Sequence, residues 1–289
     1  MTPFRNNILA QFPSEALVLW LLRLMALLCG AILLLIVVFL GWKALPVFNQ
    51  IGVVNFFTDV AWEPTSGQYN LLPMLLGTIL TSLGAIMVAT PAGIISAIFI
   101  HYYAPGAIAP LYRRLIELLA GIPSVVYGFW GLVVLVPLIN HIQSPGASLL
   151  AGICILSIMI LPTVALVTDS SFTNVSERYL SSAKALGLGR WATVWGIVLP
   201  ASKSGMVAGV VLATGRALGE TMAVVMVCGN VVQVPNSLFA PVRTLTANIA
   251  LEMGYAMGEH RAALFFSGLV LMVLVALLIG LGRTQVESS

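Results

Sequence analysis

Long apolar runs separated by short polar connections set the pattern of this chain. Six runs reach the roughly 20 residues that a helix needs to cross the hydrocarbon core of a bilayer. They are Leu17–Leu45, Leu71–Ile100, Leu115–Ile139, Ala147–Thr168, Gly205–Cys228 and Ala262–Leu281. The pattern predicts an all-α integral membrane protein with six transmembrane helices. The connections leave no room for a soluble domain, so residues 1–70 read as a first span plus an outer loop. Residues 71–289 read as a core of five further spans, within one membrane domain. The uncharged core of the first span, Leu24–Trp42, is longer than the apolar stretch of a signal peptide, so it is expected to stay in the membrane.

Breaks in the pattern predict the finer elements. Pro91 is expected to kink the second span, and Gly121-Ile122-Pro123 to break the third. Pro64, Ser66 and Gly67 predict a turn in the outer loop, and Arg243–Tyr255 a short helix on the outer surface. Between the fourth and fifth spans, Ser181–Leu186 and Arg190–Ile197 are helix-compatible runs separated by Gly187-Leu188-Gly189, and Pro200 ends the second. Such a hairpin offers Trp191, Val194, Trp195 and Val198 either to the headgroup layer or to a docking partner.

Composition agrees with the pattern: 60% of residues are hydrophobic and 8% charged, which excludes an ordinary soluble domain. The distribution of positive charge adds an orientation. With the N-terminus inside, the inner side holds Arg5, Arg23, Arg113, Arg114, Arg178, Lys184, Arg190, Lys203 and Arg283. The outer side holds only Lys43, Arg243 and Arg261. This asymmetry favours both termini in the cytoplasm. Cys29, Cys154 and Cys228 lie singly within spans, without metal or redox spacing, and read as small core residues. His101, His141 and His260 are isolated near span ends, so no metal site is expected. Glu117 reads as the local ion-pair partner of Arg113 and Arg114.

One span departs from the apolar rule. Gly205–Asn230 carries Arg216 and Glu220 near its middle, where full charges cost several kcal/mol and are seldom without a function. In a continuous helix, positions four apart share a face, so the two side chains are expected to point the same way. Glu220 then serves as the counter-ion of Arg216. Gly205, Gly209, Ala213 and Ala217 form a ladder of small residues for close helix packing. Ser124 and Tyr127, beside the break in the third span, either line a pathway with hydroxyls or pack in the core.

Specific stretches carry a resemblance to a known family. Ala183-x-x-x-Gly187, nine intervening residues, and Ile197-x-Leu199-Pro200 resemble the coupling-loop motif of ATP-binding-cassette importer permeases. The family motif opens Glu-Ala-Ala, where this chain has Ser181-Ser182-Ala183, so the first acidic residue is missing. Ile122–Gly128, Gly215–Val224 and Arg243–Ala250 are similar to the C-type permease subunit of the bacterial phosphate importer. The likeness covers roughly Leu71 to Leu281.

The resemblance implies a type I importer fold in the bacterial plasma membrane, with the chain forming half of a phosphate pathway. It implies docking through Ser181, Ser182, Ala183, Gly187, Ile197, Leu199 and Pro200 onto an ABC ATPase dimer. It also implies a second, A-type permease subunit and an extracytoplasmic phosphate-binding protein. The chain itself has no G-x-x-x-x-G-K-[ST] stretch, so ATP is expected to be used by a partner, with no cofactor held here and no nucleic acid bound. Arg216 suits an oxyanion, and Glu220 suits one that still carries O–H groups. The alternatives are another oxyanion as cargo (molybdate or sulfate), an ATP-independent carrier, or an intramembrane enzyme.

Overall fold

The computed structural model describes residues 13–48 and 52–287, without the side chains of 13–16 and 283–287. Arg5 and the side chain of Arg283, counted among the inner cations, lie outside the described residues. Helix α1 (Pro13–Pro46) leans on the last helix and leaves most of its length open to lipid. Cys29 lies on that open surface and so is not a core residue.

The chain then folds over the end of the bundle that the positive-charge asymmetry predicts to lie outside, the outer end, opposite the inner one. After α2 (Asn55–Thr58), β1 (Trp62–Glu63) pairs antiparallel with β2 (Gln68–Tyr69), Trp62 opposite Tyr69. The expected turn forms at Pro64–Ser66 with Gly67 at φ +75°. The Asp59 carboxylate fastens this loop by accepting the Tyr69 N–H at 2.8 Å. Phe56, Trp62, Tyr69, Leu71 and Met74 bury their side chains together with Phe266 of the last helix.

Helix α3 (Leu72–Ile98) passes through Pro91 without interruption and widens into a π turn over Phe99–Tyr103. The third span differs from its sequence-based limits. Ile122 and Pro123 adopt extended backbone, as expected of the break, and separate α4 (Ile108–Gly121) from the helix that follows. That helix runs continuously as α5 (Ser124–Trp130), a π turn and α6 (Val136–Ile142). The apolar crossing is therefore Ser124–Ile142 rather than Leu115–Ile139. α4 is a separate amphipathic segment, because a residue before proline is pushed out of the helical region.

Helix α7 (Leu149–Thr173), capped by Ser148, is the central post. Ile155, Leu156, Met159, Ile160 and Val164 on it form the main buried cluster with Ala85 and Ala89 of α3. The inner connection forms the expected hairpin: α8 (Glu177–Ala185), then α9 (Arg190–Thr193), a π turn and α10 (Leu199–Ala201). Beyond Ser202, α11 (Lys203–Gly219) sets off at 67° to this second arm. The small-residue ladder of α11 faces α7, where a Cβ on Gly209 would stand only 3.2 Å from Val167. In lipid such close approach, rather than hydrophobic exclusion, holds helices together.

After α11 come α12 (Met222–Val227), α13 (Leu245–Glu252) and α14 (Gly258–Glu287). Among the described residues, five helices are individually long and apolar enough to cross a membrane, and α11 with its bent neighbour makes a sixth. The helix expected on the outer surface is α13, but it is buried: Leu245, Thr246, Ala247, Asn248 and Glu252 are enclosed. Its first N–H, on Leu245, bonds to Thr78 Oγ1 of α3 at 2.9 Å, so this segment re-enters the bundle.

Candidate functional site

The fifth span is broken at its charges. Helix α11 ends at Gly219, and Glu220 has φ −69° and ψ 131°, an extended conformation. Arg216 and Glu220 therefore do not share a helical face, and no ion pair joins them among the described residues. This corrects the expected counter-ion arrangement. Each charge has instead found a helix end of opposite sign. Arg216 lies in the last turn of α11, where unpaired carbonyls favour a cation, and its Nη1 donates to Thr163 Oγ1 of α7 at 3.3 Å. Glu220 Oε1 accepts the Ala223 N–H at 3.1 Å, at the start of α12. The carbonyl of Glu220 accepts from Thr246 Oγ1 at 2.8 Å, so α13 pins the break from outside.

The second break faces this one. α5 packs against α12, with Gly128 against the backbone of Ala223. Tyr127 is buried and donates its hydroxyl at 2.7 Å to the Leu119 carbonyl, which also accepts the Ile122 N–H at 3.3 Å where α4 ends. Its proton is thus committed to the break and is not a free donor. Ser124 begins α5, half-buried. Tyr127 also walls a wholly apolar hollow of about 260 Å³ with Ile122, Val126, Trp130 and Ile158. The structure thus brings Arg216, Glu220 and Tyr127 to two adjoining helix breaks in the middle of the bundle.

Two polar networks were not legible in the sequence. On the inner side, buried Asp169 of α7 accepts from Arg113 Nη2 of α4 at 2.8 Å and from His101 Nδ1 at the end of α3 at 3.2 Å. Arg113 is therefore paired with Asp169 and not with Glu117, and His101 is not isolated. On the outer side, Glu252 Oε1 accepts from Arg243 Nη1 at 2.7 Å. Its Oε2 accepts from His260 Nε2 at 2.8 Å and from Trp62 Nε1 at 2.9 Å. The signal available in the sequence was a carboxylate at or near the end of an apolar run. No group of side chains suited to a metal ion occurs among the described residues.

The inner hairpin is built for exposure. Ala183 is its buried anchor, whereas Ser181, Ser182 and Gly187 are open. Gly187 has φ +70° and closes a Schellman motif: Leu188 N–H bonds to the Ala183 carbonyl and Gly187 N–H to the Lys184 carbonyl, both at 3.0 Å. In the second arm Val194 and Val198 are buried and Ile197 and Leu199 half-buried, while Pro200 is open one residue before the helix ends. Leu186 and Trp191 are left 78% and 67% exposed, a large apolar surface for a loop tip.

Residues 89–287 match the family of binding-protein-dependent transport system inner membrane components. The chain belongs to this family. It is 36% identical to the phosphate transport system permease protein PstC of Mesorhizobium japonicum over 265 residues, 84% of this chain and 80% of that protein. It is 40% identical to the probable ABC transporter permease protein YqgH of Bacillus subtilis, over 86% of this chain and 83% of that protein. Among solved structures it resembles a bacterial ABC transporter involved in the import of alginate, with a TM-score of 0.66 at 17% identity. That match covers 93% of this chain and 96% of that one. It also resembles the inward-facing MetNI methionine ABC transporter, with a TM-score of 0.57, over 75% of this chain and 93% of that one. The type I importer permease fold and a multi-pass inner-membrane location follow.

Proposed function

We propose that this chain is the C-type permease subunit of an ATP-driven phosphate importer and supplies half of its translocation pathway. The observation that carries the reading is Arg216, a permanently charged group held at a helix break in mid-bundle with, among the described residues, one neutral hydrogen-bond partner. A guanidinium so placed keeps donors available for a passing oxyanion. Glu220 stands four residues away at the same break and accepts hydrogen bonds from the O–H groups that phosphate retains near neutral pH. Sulfate has none and is repelled. Ser124 and Tyr127 border the facing break, where Tyr127 shapes the passage rather than donating to the ion. The relatives named phosphate permeases support this cargo over molybdate or sulfate.

The hairpin comprising Ser181, Ser182, Ala183, Gly187, Ile197, Leu199 and Pro200 docks on a separate ABC ATPase dimer, which binds and hydrolyses ATP. This chain holds no cofactor. A second, A-type permease subunit completes the pathway, and an extracytoplasmic phosphate-binding protein delivers the ion. Both termini face the cytoplasm. Phosphate uptake into vesicles holding the assembled transporter tests the reading: Arg216→Ala abolishes uptake while the protein stays in the membrane. Normal uptake by that variant defeats it.

A further inference from the structure

A second cluster of basic side chains lies away from the pathway, at the hairpin. The end of α3, the first arm of the hairpin and its glycine turn enclose a cavity of about 340 Å³. His101, Lys184 and Arg190 line it together with Tyr102 and Thr193, and no acidic side chain does. Asp169 is bonded to His101, one of the lining residues, and is also engaged by Arg113. Lys184 and Arg190 make no ion pair among the described residues. The Tyr102 hydroxyl is buried without any hydrogen-bond partner. A buried hydroxyl left unmatched is unfavourable, and the two cations repel each other across the hollow, weakly because both are exposed and screened.

Both costs disappear if the cavity takes an anion. Lys and Arg only donate hydrogen bonds, and the Tyr102 hydroxyl has its proton free. We propose that this cavity is a phosphate-class oxyanion site that bridges the coupling hairpin to the inner end of α3. Its ligand chemistry is a tetrahedral phosphate, either free inorganic phosphate or the headgroup phosphate of an anionic lipid. The Schellman turn at Gly187 separates Lys184, in the last turn of α8, from Arg190 at the start of α9. An occupied site therefore ties the ATPase-docking element to the helix end that Asp169 also holds. The anion site stands independently of the cargo reading above.

The test uses the assembled transporter in nanodiscs, in an Arg216→Ala background that removes the pathway's contribution. In one arm, neutral phosphatidylcholine discs are dialysed against radiolabelled inorganic phosphate. In the other, phosphatidylglycerol retained by the complex is measured by native mass spectrometry. Replacing Lys184 and Arg190 together by Gln lowers occupancy about tenfold or more in one arm, the loss expected of charge-assisted hydrogen bonds. Tyr102→Phe lowers it by a smaller factor. Occupancy also slows amide exchange across 177–201 in the parent and not in the double variant. Co-purification of the ATPase with every variant verifies assembly. If neither free phosphate nor the anionic lipid is lost from the double variant, the proposal is overturned. Failure of the cargo reading shows separately, as phosphate uptake that survives Arg216→Ala.

Discussion

Arg216 Nη1 donates to Thr163 Oγ1 at 3.3 Å, tying the last turn of α11 to the central post α7. This bond, and not an ion pair with Glu220, aims the guanidinium. Thr163→Val keeps the shape and removes the acceptor. Uptake is expected to fall about tenfold or more, the value of one hydrogen bond to a charged group. Membrane abundance stays unchanged. Initial uptake rates, normalised to immunoblotted protein, check this.

Glu220 has two separable tasks. Its Oε1 caps α12 through the Ala223 N–H, and in the proposed function its charge screens the passing ion. Glu220→Gln retains a carbonyl oxygen for the cap and loses the charge. The expected outcome is a stable transporter whose rejection of sulfate weakens, measured by competition of sulfate against phosphate uptake. Unchanged selectivity removes Glu220 from the screening role.

Asp169 gathers α3, α4 and α7 at the inner face, immediately before the hairpin. Asp169→Asn leaves Arg113 and His101 without their carboxylate. Arg113 is 43% exposed and therefore partly screened, so the cost is about 1–2 kcal/mol rather than that of a fully buried pair. A lower melting temperature in detergent, with ATP hydrolysis less responsive to substrate delivery, is the expected pair of readouts.

Glu252 gathers the outer face more tightly, holding Arg243, His260 and Trp62 while it is itself enclosed. Glu252→Gln strips the charge from a buried pair and is expected to cost about 3 kcal/mol or more. Thermal unfolding followed by exposure of Cys228, buried in the native state, reports it.

Gly187 occupies the left-handed region at φ +70°, and a Cβ there meets no atom within 4 Å. Gly187→Ala therefore carries only the backbone penalty, about 1 kcal/mol. Faster amide exchange across the hairpin and weaker retention of the ATPase are expected. Deleting Gly187–Pro200 abolishes that retention.

The existence of the spans, the break at Ile122-Pro123, the glycine turn of the hairpin and the packing ladder of α11 were all legible in the sequence. Each depends on local chemistry: apolar length, a missing N–H, a missing Cβ. The break at Glu220 was not, because Gly219-Glu220-Thr221 contains no proline. Its conformation is instead held by Thr246, which is 26 residues away in sequence and bonds to the Glu220 carbonyl. The burial of α13 was missed for the same reason, since its amphipathic pattern does not say which surface will cover it.

By itself the sequence determined that this chain lives in a bilayer, where it bends, and that one arginine sits where charge is costly. Those properties belong to each segment and survive any arrangement of its neighbours. Only the tertiary structure decided which groups answer the charges: Thr163 for Arg216, the first turn of α12 for Glu220, Asp169 for Arg113, and Glu252 for Arg243 and His260. The pairs with Thr163 and Asp169 depend on distances between helices 53 and 56 residues apart in the chain. Those of Glu220 and Glu252 lie within ten residues in sequence, but form only because the chain breaks or turns between the partners.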